Sequence, residues 1–229
     1  MAQRRTRERQ PIIIPVVFVH GTRTSSAIWD PQVDALRAAG HTVHALDLPG
    51  HGARTGERFT FDGALRAIDD AVAAQPVPPL LVGLSLGGYT SLAYAARHHD
   101  RLAGVMLSGC STEIAGKPLN LYRRASSKVA AMFRPNGTWH VVADMLAALH
   151  GYSALADLRR LLVPVWIVNG SRDPLRLDEW RMLAARPNAR LHVVRRAGHD
   201  VNSHAPEEFL DVLRGALAHL HPAVVPVLA

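Results

Sequence analysis

Leu80-Leu81-Val82-Gly83-Leu84-Ser85-Leu86-Gly87-Gly88 is the stretch from which the rest of the chain is read. Leu80, Leu81 and Val82 form an uninterrupted apolar run of the kind found in strands buried on both faces. Ser91-Leu92-Ala93-Tyr94-Ala95-Ala96, just beyond, has the small and apolar composition of an interior helix. Between them, Gly-x-Ser-x-Gly compresses a strand-to-helix reversal into five residues, and the positions two before and two after the serine must be small for the backbone to fold so sharply. Such a turn holds a hydroxyl above the sheet edge, at a helix N-terminus where developing negative charge is favoured. Ser85 is therefore the candidate nucleophile.

Working outward, short apolar runs alternate with helical patterns. Strands are expected over Ile12–Val19, Thr42–Leu46, Leu102–Leu107, Val163–Val168 and Arg190–Val194. Helices are expected over Pro31–Ala39, Phe61–Ala74, Gly88–His98, Asp178–Ala185 and Pro206–His219. In the last of these, Phe209, Leu210, Leu213 and Leu217 repeat on one face. The alternation predicts an α/β architecture: a mostly parallel sheet of about six strands with helices on both faces. Sites in such sheets lie at the carboxyl ends of the strands.

A serine alcohol attacks poorly unless a base takes its proton. His199, in Arg196-Ala197-Gly198-His199-Asp200, follows the last strand and precedes the last helix, and is the candidate base. His51, His98 and His99 do not complete a serine, acid, histidine order. Asp173 sits in the turn after the fifth strand, within Val168-Asn169-Gly170-Ser171-Arg172-Asp173-Pro174, and is the candidate acid that orients the imidazole. Glu113, after the fourth strand, is an alternative, with Asp178 and Asp200 behind it. An oxyanion needs donors; the backbone N–H groups of Leu86 and of Thr22, in His20-Gly21-Thr22, are the candidates. His20 is expected to hold that loop through hydrogen bonds.

From Cys110 to Leu162 no strand pattern is found, but helical signals are, over Leu119–Phe133, Trp139–His150 and Ala154–Leu162. A small helical lid at about residues 111–162 is expected, since a structureless insertion of that length would be unusual. His20, Trp29, Met132, Phe133, Trp139 and Met145, with Leu146 and Leu149 of the lid, are candidates for the substrate pocket, although the apolar lid residues could equally pin the lid down, and Trp29 could be pocket wall or core.

Taken together, His20-Gly21, Asp47-Leu48-Pro49-Gly50-His51-Gly52, the Gly-Leu-Ser-Leu-Gly-Gly turn, Asp173-Pro174 and Gly198-His199 resemble the α/β-hydrolase superfamily from about residue 16 to 220. The resemblance implies a serine hydrolase working through an acyl-enzyme, foremost a carboxylesterase on small to medium apolar esters, with no cofactor. It also admits a lactonase, thioesterase, amidase, carbon–carbon hydrolase or lyase, or haloperoxidase, and a non-catalytic ligand-binding protein of the same fold. The Asp47 turn reads as structural, its glycines permitting tight turns and Asp47 capping them. Set against that resemblance, the strand at Ile12–Val19 is expected to be the family's third, with the first hairpin absent.

Composition bounds these readings. The 229 residues suit one domain, here 11–229, behind a flexible basic start over residues 1–10. Net charge is +7, yet Arg4, Arg5, Arg7 and Arg9 lie in that start and aromatics are only 6%, which disfavours a nucleic-acid partner. Cys110 is the single cysteine, so no internal disulfide forms. No metal-ligand spacing of histidines and cysteines occurs, and no apolar run reaches the length of a membrane span. The arginines ahead of Ile12 imitate a secretion signal, but no small-residue cleavage site follows. The expectation is a cytoplasmic protein acting on a small ester-like molecule.

Overall fold

The structure, a computed structural model, describes residues 13–117 and 139–221; of Trp139 it describes the backbone only. The basic start, the helix expected over Leu119–Phe133, and with it Met132 and Phe133, lie outside the described residues.

Six strands form one sheet: β1 (Val16–Val19), β2 (Val43–Leu46), β3 (Leu80–Leu84), β4 (Gly104–Ser108), β5 (Val165–Gly170) and β6 (Arg190–Val194). Their order is β2-β1-β3-β4-β5-β6, and every pairing is parallel. The eight helices of the described residues are α1 (Asp30–Ala38), α2 (Phe61–Ala73), α3 (Leu86–Ala95), α4 (Trp139–Ala148), α5 (Ala154–Arg160), α6 (Glu179–Ala185), α7 (Val201–His204) and α8 (Pro206–Leu220). Among the described residues no helix is long and apolar enough to cross a membrane.

The strands begin slightly later than the apolar runs suggest, and proline explains two cases. Pro15 and Pro164 have no N–H to give, so β1 and β5 start after them. Their carbonyls still extend the ladder, accepting from Leu80 and Val105 at 2.9 and 3.0 Å.

Alternation along each strand divides the core in two. Val17, Val19 and Leu81 face one side, where Ile68 of α2, Leu92 of α3, Leu158 of α5 and Met182 of α6 cover them. Val16, Phe18, Leu80 and Val82 face the other, beneath Leu36 of α1, Val201 of α7, and Phe209, Leu213 and Leu217 of α8. Trp29 belongs to this second core. It is fully buried, with its ring 4.7 Å from Phe18 and 5.6 Å from Phe209. Burial on both faces is what allows the sheet to run parallel, and it leaves the carboxyl ends of the strands as the place for polar chemistry.

Candidate active site

β3 delivers Ser85 through a turn that only small neighbours permit. A side chain on Gly83 would overlap the Gly87 carbonyl, and one on Gly87 would overlap the carbonyls of Val19 and His20. Ser85 itself takes φ 53°, ψ −114°, a left-handed conformation rare outside glycine and costly for a side-chain-bearing residue. Its N–H donates to the Ser108 carbonyl at 2.8 Å and its carbonyl accepts from Tyr89 at 3.0 Å, so both flanks of the turn are fixed. From Pro79 to Ala95 every residue is buried except Ser85. Ser85 caps the N-terminus of α3, and Leu86 begins the helix; first-turn N–H groups have no partner within a helix.

His199 and Asp173 come from the turns after β6 and β5. The two turns are knitted together: Ser171 donates to Val194, Arg172 to Ala197, each at 2.9 Å, and Arg196 N–H to the Ser171 hydroxyl at 2.9 Å. Their backbones approach so closely at Gly170 that a side chain there would overlap the carbonyls of Ala197 and Gly198. His199 donates Nδ1–H to Asp173 Oδ2 at 3.0 Å, which leaves Nε2 as an acceptor. Asp173 Oδ1 accepts from the Leu175 N–H at 2.8 Å. The Asp173 hydrogen bond lifts the imidazole pKa above the ordinary histidine value, against the opposing effect of burial. Burial pushes the Asp173 carboxyl up, but His199, the Leu175 N–H and Arg176 outweigh it and hold the group below the usual aspartate value. Gly109, at the end of β4, seats the ring. It takes φ 61°, and a side chain there would stand 3.1 Å from His199 Cε1.

Glu113 is placed differently. Its Oε2 accepts from the Leu155 N–H at 2.9 Å, in the first turn of α5. Its own N–H donates to Asp178 Oδ2 at 2.9 Å, and Asp178 Oδ1 accepts from Arg181 at 2.9 Å. These two acids hold helices α5 and α6, whereas Asp173 holds His199.

The loop after β1 runs beside Ser85: a side chain on Gly21 would lie 3.4 Å from Ser85 Cβ. His20 is fully buried and staples this loop. Its Nδ1–H donates to the Gly21 carbonyl at 2.7 Å and its Nε2 accepts from the Leu48 N–H at 3.0 Å, so it is held neutral. Burial lowers its pKa to about 4. Asp47 ties the same loop to the following turn, accepting from the N–H groups of Ser26 at 2.7 Å and Ala53 at 2.9 Å. Gly50 and Gly52 take φ 82° and 50° in that turn. The Thr22 hydroxyl reaches across to α4 and donates to Met145 Sδ at 2.7 Å.

Ser85 lies on the wall of a largely apolar cavity of about 350 Å³, lined by Leu86, Ile114, Met145, Leu146, Leu149 and Leu177 among others, with Thr112 and Lys117 as its other polar residues. Of the residues singled out for a pocket, Met145, Leu146 and Leu149 are in this wall. His20 and Trp29 are not, one serving as a buried staple and the other as core beneath the sheet. Leu177 is an apolar residue of ordinary spacing, and only the placement of the loop before α6 brings it to the cavity of Ser85. Gly109 carries a signal that was readable, a glycine directly after a buried strand, but nothing in the sequence says which side chain it makes room for.

The sequence pattern described as "Alpha/beta hydrolase family" matches residues 16–212. The chain is 30% identical to a pimeloyl-[acyl-carrier protein] methyl ester esterase of Neisseria meningitidis serogroup C, over 87% of this chain and 92% of that one. It is 35% identical to the esterase PIR7B of Oryza sativa subsp. japonica, over 46% of this chain and 41% of that protein. In fold it is similar to a bromoperoxidase from Bacillus anthracis, with a TM-score of 0.76 and 20% identity over 91% of this chain and 93% of the other. The chain belongs to the α/β-hydrolase family, as an enzyme of the esterase-like hydrolase type.

Proposed function

We propose that the protein is a serine carboxylic-ester hydrolase acting on esters with small to medium apolar acyl groups. The observation that carries this reading is Ser85 in a left-handed turn, at the N-terminus of α3, on the wall of an apolar cavity. The similarity to the Neisseria methyl ester esterase supports an ester as the bond cleaved.

In this reading Ser85 Oγ attacks the ester carbonyl while His199 Nε2 takes its proton. Asp173 keeps the proton of the neutral ring on Nδ1 and stabilises the imidazolium that forms. The N–H groups of Thr22 and Leu86 receive the oxyanion, where fixed donors are worth more than in water. His199 then gives its proton to the departing alkoxy oxygen, and the acyl-enzyme is hydrolysed by a water whose proton passes to the same Nε2. The apolar cavity holds the acyl chain, a volume in the range that encloses a small ligand.

A fluorophosphonate probe tests the assignment. Stoichiometric labelling at Ser85, lost in Ser85→Ala and in His199→Ala, is expected, together with turnover of acyl esters ahead of amides. A folded protein that stays unlabelled would overturn it.

A further inference from the structure

Helix α4 borders two cavities, the second richer in polar side chains than the first. Met145 and Leu146 face the apolar cavity that contains Ser85. One turn earlier, Val141 closes a second cavity of about 310 Å³, whose other lining residues are polar residues and glycines. Thr24 and Ser25 supply one wall, His51 and Thr55 the other, with Arg23 and the glycines of the Asp47 turn completing it. Thr22 lies at the partition, its hydroxyl on Met145 Sδ and the next residue, Arg23, already in the polar wall.

This second cavity is built rather than incidental. A single carboxylate, Asp47, holds both walls at fixed spacing through the Ser26 and Ala53 N–H groups. His51 is only 3% exposed. Its Nδ1–H donates to the Pro49 carbonyl at 3.0 Å, so Nε2 is an acceptor, and that atom is buried with no hydrogen-bond partner. Buried acceptors are normally served by a donor. The turn that carries His199 is fastened to the same side of the molecule. Asn202 donates to the Ile28 carbonyl and Gln32 to the Asn202 carbonyl, each at 2.9 Å, just beyond the Thr24-Ser25 wall. The loop that carries Thr24 and Ser25 continues from Gly21, where a side chain would lie 3.4 Å from Ser85 Cβ, so an alcohol half that extends away from the acyl cavity along this loop reaches the second cavity.

We propose that the polar cavity is the subsite for the alcohol half of the substrate, and that it takes a hydroxyl-bearing alcohol of the glycerol type rather than an alkyl alcohol. The inference rests on Ser85 as nucleophile. Hydrolysis then breaks the acyl C–O bond, water supplies the acid's hydroxyl, and the polyol leaves with the proton from His199. The Ser25 and Thr55 hydroxyls pair with the hydroxyls of the alcohol.

The test compares 1-monooctanoylglycerol with propyl octanoate, which share acyl chain and alcohol carbon count and differ by two hydroxyls. Each ester is measured by kcat/KM and by its protection of Ser85 from fluorophosphonate labelling, which reads binding without turnover. The glyceryl ester is expected to be preferred roughly ten-fold on both measures, the worth of one or two net hydrogen bonds. Thr55→Leu, at an exposed position, and Ser25→Val are each expected to bring that ratio toward one, chiefly through KM. Equal preference in the unaltered protein, or a ratio that both variants leave intact, overturns the subsite while leaving Ser85 labelling in place. Absence of labelling overturns the nucleophile and the subsite with it.

Discussion

Replacing Asp173 by asparagine separates the two acids that the sequence offers. Asp173 has two occupied oxygens, Oδ2 on His199 Nδ1 and Oδ1 on the Leu175 N–H. Asparagine has one carbonyl oxygen. If it keeps the Leu175 N–H, its amide group turns toward Nδ1 and donates there. The imidazole must then carry its own proton on Nε2, the atom that has to accept the proton of Ser85. Loss of the correct tautomer in triads of this kind costs about 10³- to 10⁴-fold in kcat, or about 4–5.5 kcal/mol of transition-state stabilisation. The fold should barely register the change, because the Leu175 contact survives. Glu113→Gln is the matched control: its carbonyl can still accept from Leu155, and only the charge at the first turn of α5 is lost, about 0.3–1 kcal/mol of stability. The assay is kcat on a chromogenic acyl ester for both variants, with thermal melting to verify folding. An Asp173→Asn enzyme within ten-fold of the unaltered protein, beside an inactive but folded Glu113→Gln, refutes the assignment.

Three further outcomes follow from the same geometry. His199 is held above the ordinary histidine pKa, so its protonated form, which cannot accept a proton, persists to higher pH. The acid limb of kcat/KM should therefore lie above pH 6.5 and move downward in the residual activity of Asp173→Asn; an unmoved limb would place the titrating group elsewhere. Ser85→Gly and Ser85→Ala should both be inactive, but glycine relieves the left-handed backbone, and a net gain of about 1 kcal/mol over alanine should raise the melting temperature by roughly 2–4 °C. A glycine variant that melts no higher than the alanine variant contradicts the strain. Leu146→Trp narrows the acyl cavity and should shift the preferred ester toward shorter chains, read as the ratio of kcat/KM for butyrate and octanoate esters; an unchanged ratio would mean the chain binds elsewhere.

What the sequence discloses is what short-range constraints determine. The turn around Ser85 is legible because a strand, a serine between two small residues and a helix must all occur within a few positions, and the overlaps at Gly83 and Gly87 show why nothing larger fits there. His199 and Asp173 are legible from chain order, each in the turn after an apolar run. Pockets are not legible in this way. Trp29 and Met145 are both large apolar residues within reach of a loop, and only the side of the sheet each falls on separates core from cavity wall. The role of Glu113 is hidden for a related reason: a buried carboxylate after a strand looks alike whether it meets an imidazole or the open N-terminus of a helix 42 residues away.

The strand order sets a problem that the glycines solve. Ser85 leaves β3 and His199 leaves β6, with β4 and β5 between them, three strand spacings or roughly 14 Å of sheet edge. A histidine on the final turn can approach the serine only if its backbone crosses the end of β5 and its ring lies over the end of β4. The crossing occurs at Gly170, where the Ala197 and Gly198 carbonyls fill the space a side chain would need, and the ring rests at Gly109, in a conformation that disfavours any side chain. Asp173 then meets the imidazole from the strand it has just crossed, which is why the acid comes from β5 rather than from the Glu113 segment after β4. Two glycines that take no part in chemistry thus decide which carboxylate can serve the histidine.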